Sequence, residues 1–397
     1  MKTAYIVDIL RTPVGKYGGA LASVRPDDLL ALTIKALMER NAAINPQQVE
    51  DVIAGAANQS GEDNRNVARM ALLLAGLPVS VGGVTVNRLC ASGLQAIMDA
   101  SRGIITGDGD VFIACGVESM SRAPFVMPKA EDSFSRKAEI FDTTMGWRFI
   151  NSKLSGLYHP YSMGETAENV AEKWKISRQQ QDEFALQSQQ KYQQAFEAGR
   201  FKEELVAVPV STGKETVRVD KDEHPRTTSL EKLAALKPAF KQNGSVTAGN
   251  SSGINDGAAA SLMVSEDVVV KYNLKPLVRI VSMAVTGVEP AHMGIGPVPA
   301  TQKALKRAGL KVSDLGLIEL NEAFAAQSLA CLHDLGLNSE IVNVNGGAIA
   351  IGHPLGCSGV RISATLIHEM QKRKVKYGLA TMCIGVGQGA AVIYETV

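Results

Sequence analysis

The sequence lacks any excess of charge: 41 Lys and Arg stand against 40 Asp and Glu in 397 residues, a formal net charge of +1. That balance supplies no general field for nucleic acid or anionic lipid, so neither is expected as a partner and any phosphate site must be local. Histidine is scarce at 6, and the 5 cysteines (Cys90, Cys115, Cys331, Cys357 and Cys383) form no C-x-x-C pair and no metal-ligand spacing. This argues against a structural metal and for a reducing compartment. No apolar run reaches membrane-spanning length, and MKTAYIVDILRTPVG enters a strand-like run with no secretory or Arg/Ser-rich leader, which predicts a cytoplasmic protein with no membrane partner. Aromatics make up only 5% while glycine reaches 37 residues, a bias toward tight turns and close approach of backbone to ligand or to other backbone.

What is there is a large globular chain, 45% hydrophobic and 20% charged, long enough for two or more core units. The first third alternates short β-branched runs with helical patterns, from TAYIVDIL and DDLLALTIKALMER to ASGLQAIMDASRGIITG and DVFIACG, as an α/β layered fold does. From about Glu118 to Gly249 the chain turns polar, with one strong helix expected near Ser177 to Ala198 and stopped by Gly199, so this stretch reads as an insertion. The last third returns to alternation, from LVRIVSMAV and PATQKALKRAG to LGLIELNEA, IVNVNGG and SGVRISATLIHEMQKR. Both VNRLCASGLQAI and the stretch from VNVNGG to GCSGVRISATL run from an apolar strand through a Gly/Ser turn into a helix, the mark of an internal duplication.

Chemistry-bearing residues fall on these turns. Cys90 follows GVTVNRL and precedes a helical pattern, so its sulfur is expected at a helix N-terminus, where free N–H groups favour thiolate; an inert buried cysteine is the bland alternative. His353, in NGGAIAIGHPLGCSG, sits on a Gly/Pro turn expected to expose its ring for general-base work. Cys383, in ATMCIGVGQGAAVIYE, offers a second thiol among exposed backbone amides; the GVGQG there precedes a strand rather than a helix, which argues against a dinucleotide loop. Asn321, beside Glu322 in LIELNEAF, can donate to an enolate or thioester oxygen, or can be an ordinary cap. Ser252 lies in the turn-rich TAGNSSGINDGAAA and reads as a cap or a ligand contact.

Taken together, VNRLCASG, CGVESMSRAP, TAGNSSGINDGAA, LNEAFAAQ, NVNGGAIAIGHPLGCSG and MCIGVGQGAA resemble the thiolase family, in order and over essentially the whole chain. The resemblance implies a thiolase fold: two similar layered α/β halves (αβαβα) related by a pseudo-twofold, plus an inserted loop domain. Residues 1–119 and 250–275 would form the N-terminal half, 120–249 the loop domain and 276–397 the C-terminal half. It implies that Cys90 is acylated after giving its proton to His353, and that Cys383 moves a proton at the acetyl carbon. Oxyanion holes would come from a water on Asn321 with His353, and from the N–H groups of Cys90 and Gly385. Two half-reactions through a thioester fit ping-pong chemistry. Coenzyme A or acetyl-CoA would be the cosubstrate, with no permanently bound cofactor, and its contacts would map to Ser252, Arg226, Met163, Met293, Ala248 and Phe324. Ser162 stands where many relatives carry a histidine.

Within the family, DTTMGWRFIN and GEDNRNVARMALLLAGLP look most like the degradative branch acting on 3-oxoadipyl-CoA, whose distal carboxylate calls for a cation; Arg136, Arg148 and Lys153 are the loop's candidates. Acetoacetyl-CoA is the alternative substrate. A decarboxylating condensing enzyme, which pairs its cysteine with two histidines, and a non-catalytic lipid carrier are rival readings that Cys383 and the presence of Cys90 and His353 disfavour. The resemblance further implies a homodimer or homotetramer.

Overall fold

The computed structural model describes residues 2–397. The N-terminal strands are β1 (Ala4–Arg11), β2 (Gly15–Lys16), β3 (Asp51–Gly55), β4 (Gly82–Val86) and β5 (Val111–Ser119). Two small hairpins follow, β6 (Phe125–Val126) with β7 (Phe141–Asp142) and β8 (Val208–Ser211) with β9 (Thr216–Val219). The chain then forms β10 (Asn255–Ser265), β11 (Val278–Gly287), β12 (Leu317–Leu320), β13 (Tyr377–Ile384) and β14 (Gln388–Thr396).

Ten of these strands make one mixed sheet in the order β12-β13-β14-β11-β1-β10-β5-β3-β4, with β2 added beside β10. The order shows the duplication: β1-β10-β5-β3-β4 on one side of the join matches β11-β14-β13-β12 on the other. In each half an antiparallel centre leads to parallel outer strands, β5/β3/β4 and β13/β12. The central strands are buried on both faces, so successive residues enter different cores. In β5, Ala114 joins a central cluster while Ile113 and Cys115 join an outer one. In β14, Val392 faces the centre and Ile393 the other outer cluster.

The central cluster is filled by two helices, Ser92–Thr106 and Leu355–Arg373, through Leu94, Ile97, Val360 and Ile367. The outer clusters are covered by Pro26–Arg40 on one half and by Pro297–Ala308 with Ala325–Leu335 on the other. The outcome is a five-layered arrangement in which the two halves of the one sheet enclose the helix pair and each half carries helices on its outer face. Burying a Leu or Ile in such a layer is worth roughly 1.5–3 kcal/mol, so the two facing helices are fixed mainly by their apolar stripes. None of the helices among the described residues is long and apolar enough to cross a membrane.

Two sequence expectations change. IVNVNGG is not a strand beyond a single parallel bridge from Ile318 to Val342. The Asn343 side chain takes over the pairing, accepting from Leu320 N at 2.9 Å and donating to Leu320 O at 2.8 Å, while its backbone turns to φ 45°. The polar insertion also holds more helix than expected: besides Arg178–Glu197, capped by Ser177 and ended at Gly199 (φ 67°), it contains Met163–Lys173. That helix starts with a capping box in which Ser162 and Glu165 exchange hydrogen bonds.

Candidate active site

The two central helices begin side by side. A Cβ on Gly93 would lie 2.6 Å from Gly356 O, so these first turns touch backbone to backbone, and only glycine permits it. Cys90 ends the approach to one helix and His353 the approach to the other, which brings residues from the two halves to one place.

Cys90 sits in a single 3-10 turn, Leu89–Ala91, held in unusual backbone (Leu89 φ 48°). The Ser92 hydroxyl accepts from Arg88 N at 2.9 Å and donates to Leu89 O at 2.6 Å. Asn87 accepts from Leu89 N at 2.8 Å and donates to Ala57 O at 3.0 Å, tying this turn to the segment after β3. The half-buried thiol is approached by the N–H of Gly385 as well as by its own. Burial nevertheless outweighs these donors and pushes the Cys90 pKa up to about 11, so the helix N-terminus alone does not yield the expected resting thiolate.

Gly385 opens the turn between β13 and β14, where Val386 (φ 63°) and Gly387 (φ 80°) are left-handed. A Cβ there would reach 3.2 Å from Leu89 and 3.6 Å from the Met163 sulfur. Cys383, near the end of β13, is buried beside Cys90, and burial followed by that neighbouring thiol holds its pKa well above the ordinary cysteine value. It packs with Met163, Met293, Ala323 and Phe324.

His353 is 4% exposed, so its Gly/Pro turn faces the interior rather than opening the ring to solvent as expected. The turn is inverted by Gly352 (φ 112°), and His353 N donates to Asn255 Oδ1 at 2.9 Å. The imidazole tautomer follows from its neighbours. Ser358 Oγ donates its one proton to Pro354 O at 2.8 Å, so at 2.6 Å it accepts from His353 Nδ1–H, leaving Nε2 with the lone pair. Arg361 can only donate, and its contact with Asn321 Oδ1 at 3.3 Å turns the Asn321 Nδ2 group toward the imidazole, 3.4 Å from Nε2 and 3.5 Å from Nδ1. Burial, reinforced by the Arg361 charge, lowers the His353 pKa to about 3. The resting pair is therefore a neutral thiol and a neutral imidazole.

The residues mapped to coenzyme A divide into two groups. Met163, Met293 and Phe324 line the Cys383 cluster, while Arg226 reaches Ala248 O at 3.1 Å on an exposed segment. Ser252, half-buried, donates its N–H to Ala323 O at 3.0 Å and so links the groups. Ser162 is the cap of the Met163–Lys173 helix. Arg136 and Lys153 are exposed and Arg148 half-buried, with no ion-pair partner among the described residues. Within those residues no group of three or more His, Cys, Asp or Glu is placed to hold a metal.

Sequence reasoning missed Glu118 and Arg361. Both are buried charged side chains whose partners lie far away in the chain; the only local signal was a lone acid inside an apolar strand and a lone base inside an apolar helix face.

Comparison with known proteins adds an independent line. Residues 4–267 match the thiolase N-terminal domain family and residues 274–396 the thiolase C-terminal domain family. The chain is 57% identical over 401 aligned positions, all of both chains, to an Escherichia coli K12 protein described as a 3-oxoadipyl-CoA/3-oxo-5,6-dehydrosuberyl-CoA thiolase. It is 49% identical to an acetyl-CoA acetyltransferase of Chromobacterium violaceum over 98% of each chain. The fold superposes on a human mitochondrial 3-ketoacyl-CoA thiolase crystallised with CoA at a TM-score of 0.92 and 42% identity, covering 100% of this chain and 98% of that one.

Proposed function

The chain belongs to the thiolase family, and from that premise we propose that it cleaves 3-oxoadipyl-CoA with coenzyme A through an acyl intermediate on Cys90. It is an acyltransferase that uses acyl-CoA substrates. The observation that supports the mechanism is that the Cys90 thiol neighbours Cys383 and the Gly385 amide while the first turns of the helices following Cys90 and His353 touch backbone to backbone.

In the first half-reaction Cys90 Sγ attacks the 3-oxo carbon as its proton passes to His353 Nε2. Thiol and imidazole are both neutral beforehand, so the transfer accompanies attack instead of preceding it. The Cys90 and Gly385 N–H groups receive the oxyanion. The C2–C3 bond then breaks; its electron pair goes to the departing acetyl-CoA enolate, whose oxygen faces Asn321 and His353 and whose C2 takes a proton from Cys383. A four-carbon dicarboxylic acyl group stays on Cys90. In the second half-reaction the coenzyme A thiol attacks this thioester, gives up its proton to the site and releases the second acyl-CoA.

Residues 120–249 act as the loop domain over this site, with Arg226, Ala248, Ser252, Met163, Met293 and Phe324 contacting coenzyme A. Coenzyme A is consumed as cosubstrate, and the chemistry needs no resident cofactor. Arg148, Arg136 or Lys153 would face the distal carboxylate. The closer identity to the 3-oxoadipyl-CoA relative favours that substrate; acetoacetyl-CoA, which has no such carboxylate, is the second reading, favoured by the acetyltransferase relative. We further propose a cytoplasmic homodimer or homotetramer, in keeping with the free edge of β4 and the exposed Phe125, Met127, Phe134 and Ile140 around the first hairpin. Thiolysis rates on 3-oxoadipyl-CoA, acetoacetyl-CoA and a long-chain 3-oxoacyl-CoA test the substrate. The first should be fastest, and equal or greater activity on acetoacetyl-CoA would overturn the choice.

A further inference from the structure

The reaction needs Cys90 of one half and His353 of the other in register, yet nothing in either turn alone fixes the distance between them. The helix that follows His353 has Pro354 as its N-cap, and proline has no side-chain acceptor for the helix's first free amides. One of these amides, Gly356 N–H, is satisfied from the opposite half: it donates to Glu118 Oε2 at 2.8 Å.

Glu118 is 2% exposed, near the end of β5, and its carboxylate also accepts from Ala57 N and Asn58 N, both at 2.9 Å. The Ala57 carbonyl in turn accepts from Asn87, whose side chain holds Leu89 N, one residue before Cys90. A continuous path of hydrogen bonds thus runs from the His353 turn through Glu118 and Asn87 to the nucleophile turn. Among the described residues no cation pairs with the Glu118 carboxylate; three amides and the positive end of the helix compensate it. The backbone leaves no slack there, since a Cβ on Gly356 would lie 2.5 Å from Val117 O and 2.6 Å from Gly55 O.

Building on the thiolase reading, we propose that Glu118 is a positioning residue for the acyl transfer, setting the approach of the His353 turn to Cys90 across the join between the halves. It touches neither substrate nor reacting atoms. Burial outweighs its three amide donors and raises the Glu118 pKa to about 7, so at pH 8 it is largely a carboxylate whose charge adds, after burial, to the opposition to Cys90 ionisation, a signature that general loosening of the fold lacks. Neutralising Glu118 removes that opposition while letting the His353 turn drift, so reactivity of the thiol and turnover move apart.

Glu118→Gln keeps the shape but turns an amide donor toward backbone N–H groups. With 3-oxoadipyl-CoA and coenzyme A, its kcat should fall about 10- to 100-fold, the loss expected from a displacement of about 1 Å between reacting groups. KM for coenzyme A should stay within about twofold, and iodoacetamide should alkylate Cys90 at pH 8 no more slowly than in the unaltered protein. Should Glu118→Gln fail to accumulate, Glu118→Asp, one methylene too short to reach both sides, should show the same split. Turnover within twofold of the unaltered protein, or alkylation and turnover falling together, would overturn the proposal. An unaltered protein that cleaves none of the 3-oxoacyl-CoA substrates would instead overturn the functional reading, so the two failures are told apart in one experiment.

Discussion

Replacing Ser358 by alanine removes a single hydroxyl and tests how the base is held. In the structure that hydroxyl accepts from His353 Nδ1–H at 2.6 Å, and both groups are buried. A buried N–H left without an acceptor costs about 1–3 kcal/mol. The ring can escape this only by moving its proton to Nε2, which removes the lone pair proposed to take the Cys90 proton. At about 1.4 kcal/mol per factor of ten, formation of the acyl-enzyme should slow about 5- to 150-fold. Rapid-quench measurement of acylation from 3-oxoadipyl-CoA reads this directly, and the KM for coenzyme A should hardly change. An acylation rate within twofold of the original would refute the tautomer assignment and the role given to His353.

Other consequences are equally specific. With the Cys90 pKa at about 11, the thiolate fraction of the free enzyme grows with pH throughout the range below that value, so alkylation by iodoacetamide should climb from pH 7 to 10 without levelling; a plateau with a midpoint near 6–7 would reveal a preformed thiolate–imidazolium pair instead. Cys383→Ala should still be acylated by an acyl-CoA and exchange that acyl group with free coenzyme A, while cleavage of the 3-oxoacyl substrate falls at least about 100-fold, since proton transfer to carbon by a positioned group is worth about that much; retained cleavage would remove Cys383 from the proton path. Arg11→Met strips the partner from Glu204 and Asp222, which Arg11 contacts at 2.7 and 2.6 Å with all three side chains buried, and should lower stability to urea by about 3–5 kcal/mol. A loss under about 1 kcal/mol would show that these carboxylates find other partners.

Much of the fold was legible because its cause is local. The runs TAYIVDIL and DVFIACG become β1 and β5 since β-branched and small apolar residues suit strands buried on both faces. The helix Arg178–Glu197 announces itself through Ser177 and Gln180 at one end and Gly199 at the other. The same capping pattern, Ser162 and Glu165 in YSMGET, marks Met163–Lys173, but Pro160 and the surrounding polar residues disguised it as loop. VNVNGG misled because an asparagine side chain can imitate a strand partner, which depends on Leu320 lying opposite.

At the site, residue types and turn chemistry marked Cys90, His353, Cys383 and Asn321 as candidates beside plainer readings, and the resemblance to the thiolase family supplied the roles proposed for them. Their environments were not legible. Whether a thiol at a helix N-terminus ionises depends on how much protein closes around it, and here burial prevails over the amide donors. Glu118 and Arg361 act through partners hundreds of residues away or on another element, and no spacing in the chain reveals such contacts.

The proposed mechanism requires the cleaved acyl group to rest on Cys90. Incubating the protein with 3-oxoadipyl-CoA in the absence of free coenzyme A, then quenching in acid and mapping the digest by mass spectrometry, tests it most directly. One succinyl group is expected on the peptide containing Cys90, discharged on adding coenzyme A and absent from Cys90→Ser. Succinylation at Cys383 or elsewhere, or acetyl-CoA released with no acyl group retained on the protein, would contradict it.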